Sequence, residues 1–173
     1  MHTIIKIFII TLVATLALEA EKLSDKSKVL LKGIGAIRIG MTVADAQKAG
    51  GVTFQKGHKK GSCVFLTPKG GPENITFIAD KGKIMSVHIY APSSIKTKSG
   101  VGIDSTEKQI KDAYPGQIKL IDTITSDGDT FQIFALVPKD KPVQNYRVIF
   151  TIHAGKVQDY AAGKLPFVKS RCD

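Results

Sequence analysis

The 173-residue sequence has no Trp, 7% aromatic residues, two Cys, and 15 Asp+Glu against 25 Lys+Arg. Two cysteines are too few for a disulfide-dense miniature scaffold. Neither a CxxC pair nor an HExxH segment occurs, which removes the usual spacings of zinc sites. Gly61-Ser62-Cys63 lacks the second glycine of a nucleophile elbow, and Gly33-Ile-Gly35 lacks the GxGxxG spacing that cradles phosphate. Asp127-Gly-Asp129 offers too few spaced oxygens for a calcium loop and reads as a hairpin turn. No cofactor or metal is therefore expected, and the inventory points away from an enzyme. Only three Arg are present and no aromatic interleaves with the lysines, so nucleic acid is not the expected partner.

The one long apolar run, Ile7 to Leu18, is shorter than the roughly 20 residues of a spanning helix. Lys6 precedes it, and the small residues Ala17 and Ala20 lie at its end and just beyond it. That is the layout of a secretory signal peptide over residues 1–20, cleaved after Ala20 or Ala17. An uncleaved anchor is the alternative, but no basic stop-transfer flank follows. A secreted or periplasmic location is expected. In an oxidising compartment, Cys63 and Cys172 most simply form one bridge, which ties the C-terminal tail to the body.

Three collinear pairs of segments resemble each other. Ile37–Gly50 parallels Val101–Tyr114, Phe65–Pro68 parallels Ala135–Pro138, and Ile75–Ile84 parallels Val148–Val157. This predicts a duplication, with a first αβ repeat and linker at 21–98 and a second αβ repeat with a tethered tail at 99–173. Thr42 and Thr106 are expected N-caps, with Asp45 and Gln109 three residues on as in a capping box. Each helix carries a narrow apolar stripe, Val43, Ala46 and Ala49 in one, Ile110 and Ala113 in the other. Lys81-Gly82 and Ala154-Gly155 are expected two-residue hairpin turns. The expected fold class is α+β, two tandem helix-plus-antiparallel-sheet repeats with the helices on one side of the sheet.

Register then assigns faces. If Asp80 pairs with Lys83, one face of the first hairpin carries Ile75, Phe77, Ala79, Ile84, Ser86 and His88. The matching face of the second carries Val148, Phe150, Ile152, Val157, Asp159 and Ala161, and these are the expected core faces. The opposite faces hold Thr76, Ile78, Met85, Val87 and Ile89, and Ile149, Thr151, His153, Gln158 and Tyr160. They are half apolar, and are either covered by the tail or the other repeat or left open as a recognition surface.

The Ile-x-Ile-Gly-Met-Thr segment at 37–42, followed by a short helix ending in Gly, resembles the opening of the OmlA/SmpA-type envelope domain. It is also similar to the repeat unit of the β-lactamase inhibitory proteins. The turn motifs Gly61-Ser-Cys63, Thr67-Pro-Lys-Gly-Gly-Pro72, Tyr114-Pro-Gly116 and Ala162-Gly-Lys-Leu-Pro166 look like those of a group of exported bacterial proteins of unassigned function. Asp104 departs from that group, which usually has Gly there. The resemblance implies tandem αβ repeats in a continuous antiparallel sheet. For the inhibitors it implies a concave, BLIP-like sheet that grips a partner enzyme, although their contact residues do not map onto this sequence.

Charge is divided unevenly. Residues 21–98 hold 14 basic and 5 acidic residues, and 99–173 hold 10 and 9. The densest segment, Lys56-Gly-His-Lys-Lys60, reads as a Gly-flanked loop able to steer an acidic protein, or an anionic glycan or lipid. The leading expectation is an exported, non-enzymatic protein-binding module of inhibitor-like type. Its partner is an exported or envelope protein with an acidic surface, met through Lys59, Lys60, Met85, Val87 and Tyr160. A structural envelope protein contacting peptidoglycan or anionic lipid is the alternative. A hydrolase in which His153 and Asp159 meet a nucleophile is the third.

Overall fold

The computed structural model describes residues 21–169 and Cys172. The expected leader at 1–20 lies outside the described residues. In chain order come β1 (Lys28–Leu30), β2 (Gly33–Ile34), β3 (Ile37–Arg38), α1 (Val43–Gly50), β4 (Thr53–Lys60), β5 (Cys63–Lys69), β6 (Ile75–Asp80) and β7 (Lys83–Tyr90). Then follow β8 (Lys96–Thr97), α2 (Glu107–Ala113), β9 (Ile118–Ser126), β10 (Asp129–Leu136), β11 (Tyr146–His153) and β12 (Lys156–Lys164). The eight long strands form one sheet in the order β4-β5-β6-β7-β12-β11-β10-β9, antiparallel throughout. A 4-stranded sheet, β3-β2-β1-β8, is built from the short strands.

The expected α+β class of two helix-plus-sheet repeats is overturned by this architecture. Among the described residues, twelve strands stand against α-helices of 8 and 7 residues. The Val-, Ile-, Thr- and Phe-rich segments sustain long strands, whereas each apolar helix stripe is too narrow to support more than two turns. Ala46 and Ile110 are the fully buried apolar side chains of the two helices, and both pack in one core with Phe77 from β6, Phe150 from β11 and Val29 and Ile34 from the small sheet. The β7–β12 seam lets this core run across residues from both sides of position 98, so the protein is a mainly β body around a shared centre.

Local caps and turns follow the residues closely. Thr42 Oγ1 accepts from the Asp45 amide at 3.1 Å. At α2 the capping box is complete, with the Thr106 amide donating to Gln109 Oε1 at 2.8 Å. Lys81-Gly82 and Ala154-Gly155 both have positive φ, as the two-residue hairpin turn requires. Asp80 pairs with Lys83 as expected.

Two residues further on, each hairpin departs from the simple alternation. Ala79 pairs with Ile84 but Ile78 pairs with Ser86, so Met85 is an extra, bulged residue. In the second hairpin Ile152 pairs with Val157 but Thr151 pairs with Asp159, leaving Gln158 extra. A one-residue bulge exchanges the faces of everything beyond it. Val87, Ile89, Tyr160 and Ala162 therefore join the helix-side core. Ser86, His88, Asp159 and Ala161 turn to the opposite, open face, which corrects the expected face assignment for both hairpins.

Tyr160 closes the core beneath the β8 loop, its hydroxyl donating to the Ile95 carbonyl at 2.8 Å. Burial raises its pKa well beyond the ordinary phenol value. Tyr160→Phe is expected to cost about 1–2 kcal/mol in urea unfolding, because a buried carbonyl loses its donor. At the seam, an added Cβ on Gly163 would lie 2.5 Å from the Met85 carbonyl oxygen and 2.6 Å from Ser86 Cα. Both obstacles are bound into the β7–β12 pair and cannot swing aside. Gly163→Ala should cost roughly 2–3 kcal/mol by the same measurement.

Candidate functional site

The open face is partly roofed by the tail. Cys63 and Cys172 form the expected disulfide, with Cα atoms 5.6 Å apart. Phe167 and Cys172 pack over Phe65 and Ile78. Val168 packs on Ala135, Ile149 and Ala161. Beneath this cover Ser86 Oγ lies 2.9 Å from His88 Nε2, and the same hydroxyl donates to the Phe167 carbonyl at 3.3 Å. His88 is only 6% exposed. Burial pulls its pKa down to about 4, with the Phe167 backbone acting weakly the other way. The imidazole is therefore neutral at pH 7.

Beside the tail a cavity of about 250 Å³ opens towards β9. Ile133, Ile149, Ala161 and Val168 give it apolar walls, while His88, Thr151, Asp122, Asp159 and Lys169 supply the polar groups. Thr151 Oγ1 donates to Asp159 Oδ1 at 3.0 Å. Burial holds the Asp159 carboxyl above the ordinary carboxylate range, and the Thr151 bond offsets only part of that. Tyr90 stands directly across from Asp159 in the β7–β12 pair.

The cavity ends at the sheet's free edge. Leu120, Ile121 and Ile124 of β9 are 52%, 38% and 49% exposed. With Tyr90 they make up the exposed large apolar side chains among the described residues. The opposite edge is of another character. The segment expected to be a basic loop is the end of strand β4, where Lys56, His58, Lys59 and Lys60 are all exposed. Charged side chains and the irregular pairing between Lys56 and Lys59 protect that edge from strand addition. Seven inter-strand steps of about 4.8 Å separate the two edges by roughly 34 Å along the sheet.

The five residues expected at the partner surface are thus dispersed. Lys59 and Lys60 are exposed on β4, Met85 is half-buried at the bulge, and Val87 and Tyr160 are sealed in the core. The bulges are the physical reason for the last two. Nor do His153 and Asp159 converge on a nucleophile: the nearest carboxylate to His153 is Asp129, at 3.7 Å, and Asp159 holds Thr151. The Ser86–His88 pair has the contact of a nucleophile and base, but it lies under the tail.

The sequence reads Gln117 to Ile124 as a strand, which β9 bears out, but does not mark it as an interaction element. Its one signal was the doublet Leu120-Ile121, which breaks strict alternation; β9 has a register shift there, leaving Ile121 without a pairing partner in β10. Among the described residues no cluster of three metal-ligating side chains occurs, and no helix is long and apolar enough to cross a membrane. No family model matches the chain, and none of the curated proteins is significantly similar to it.

Proposed function

We propose that this protein is an exported, non-enzymatic binding module that engages a partner protein through the β9 side of its open sheet face. The observation that carries this reading is the exposure of Ile121 and Ile124 beside the cavity, on a strand whose outer edge is unpaired among the described residues. Such an edge accepts an extended segment by main-chain hydrogen bonding, with side-chain pockets beside it setting specificity. Apolar residues left exposed in a cluster mark interaction surfaces. The Lys56–Lys60 end of β4 adds a positive field that steers an acidic partner during approach. A disulfide supports export, because such bonds persist in oxidising compartments.

The test is capture of exported and envelope proteins by the wild-type protein and by two variants. Ile121→Ser/Ile124→Ser should abolish retention at all salt concentrations. Lys59→Glu/Lys60→Glu should slow association and remove its salt dependence while leaving the captured partner the same. A partner retained equally by wild type and the β9 variant would sink the reading.

A further inference from the structure

We propose that the cavity over β9–β12 receives a single lysine- or arginine-like cationic side chain of the partner; this rests on the binding-module reading above. Its volume of about 250 Å³ lies below the roughly 300–1,000 Å³ of small-molecule sites and suits one long side chain. Ile133, Ile149, Ala161 and Val168 can cover the methylene stem of such a residue, leaving its charged end at the polar groups. The charged lining is Asp122 and Asp159 against Lys169, an excess of negative charge in a chain of net charge +10.

Asp159 is the group that decides the ligand class. Among the described residues its carboxylate has one hydrogen-bond partner, the neutral Thr151 hydroxyl, and no ion pair within 4.0 Å. Its position above the ordinary carboxylate range reflects the same incomplete compensation. A cation would form a charge-assisted bond there, stronger than the neutral one it now has. A neutral aliphatic group would deepen the desolvation, and an anion would meet two carboxylates.

The test is a titration of the whole exported chain, followed by NMR of its isoleucine methyl groups. The probes are the N-acetyl amides of lysine and arginine, with those of norleucine and glutamate as controls. Saturable shifts at Ile133 and Ile149 are expected with the two cations only. Asp159→Asn, which keeps the Thr151 contact, should weaken them about tenfold, the loss of one charge-assisted bond. Equal shifts with norleucine, or no cation response in the wild type, would overturn the proposal. Arg171 lies outside the described residues, so Arg171→Gln is run in parallel. A response confined to that variant also overturns it, since the tail's own arginine would then be the occupant. Partner capture by wild type and Asp159→Asn alike, without any cation response, defeats this inference and leaves the binding module standing. A cation response without Ile121- and Ile124-dependent capture defeats the module instead.

Discussion

Replacing Cys63 and Cys172 by alanine should lower stability by about 4 kcal/mol, read as a shift of the urea midpoint. The bridge spans a sequence separation of 109 residues, so its loss frees a large loop in the unfolded chain. The native state changes as well. The Cys172 backbone rests on the turn at Gly61, where a Cβ would collide with the Cys172 carbonyl, and Phe167 and Val168 hold their places next to it. Without the bridge the tail keeps those apolar contacts and the Ser86 bond to the Phe167 carbonyl. Its release would admit water to Ser86 and His88 and remove the Val168 wall of the cavity. His88 titration by NMR therefore supplies a second readout, moving from about 4 towards the ordinary histidine value of 6.5. A double variant with an unchanged midpoint and an unchanged His88 titration would contradict this account of the tail.

Acid should destabilise the native protein by about 3 kcal/mol between pH 6.5 and pH 4 through His88 alone. The unfolded chain takes up a proton near pH 6.5, whereas the folded one resists until about pH 4. Above 6.5 both states are neutral at this position and the residue makes no pH-dependent contribution. Below it the unfolded state gains a proton that the native state refuses, so stability falls with pH until the folded pKa is reached. Asp159 works in the opposite sense at the acidic end, because its raised pKa lets the folded state bind a proton first. Chemical denaturation at a series of pH values, on wild type and His88→Gln, separates the two. The variant should lose the decline between pH 6.5 and 4. A His88→Gln variant whose stability changes with pH across that window as the wild type's does would show that His88 is not sealed beneath Phe167.

How much was legible follows from the range of each interaction. Thr106 and Gln109 bond within one helical turn, and Lys81-Gly82 must adopt positive φ wherever it closes a hairpin. Such features depend on adjacent residues and were readable as written. The cysteine pair was readable by elimination, since each residue had one possible partner. Val87 and Tyr160 were not readable. Apolar residues occur on both sides of these hairpins, so the composition of either face permits two registers, and one extra residue at Met85 or Gln158 selects between them. Tyr160 would suit a surface in isolation; only the Ile95 carbonyl makes its burial acceptable. The cavity was further still from view, because it joins residues from His88 to Lys169 through the β7–β12 seam and the tethered tail.

The residues by themselves therefore determined the caps, the hairpin turns, the disulfide and the excess of positive charge before position 98. These follow from local backbone geometry, cysteine pairing and simple counting. The tertiary structure decided which face of each hairpin is buried, that the basic segment is a strand edge, and that Asp159 borders a cavity beside exposed β9. Each of those depends on packing between segments tens of residues apart, where a single bulge is enough to reverse the outcome.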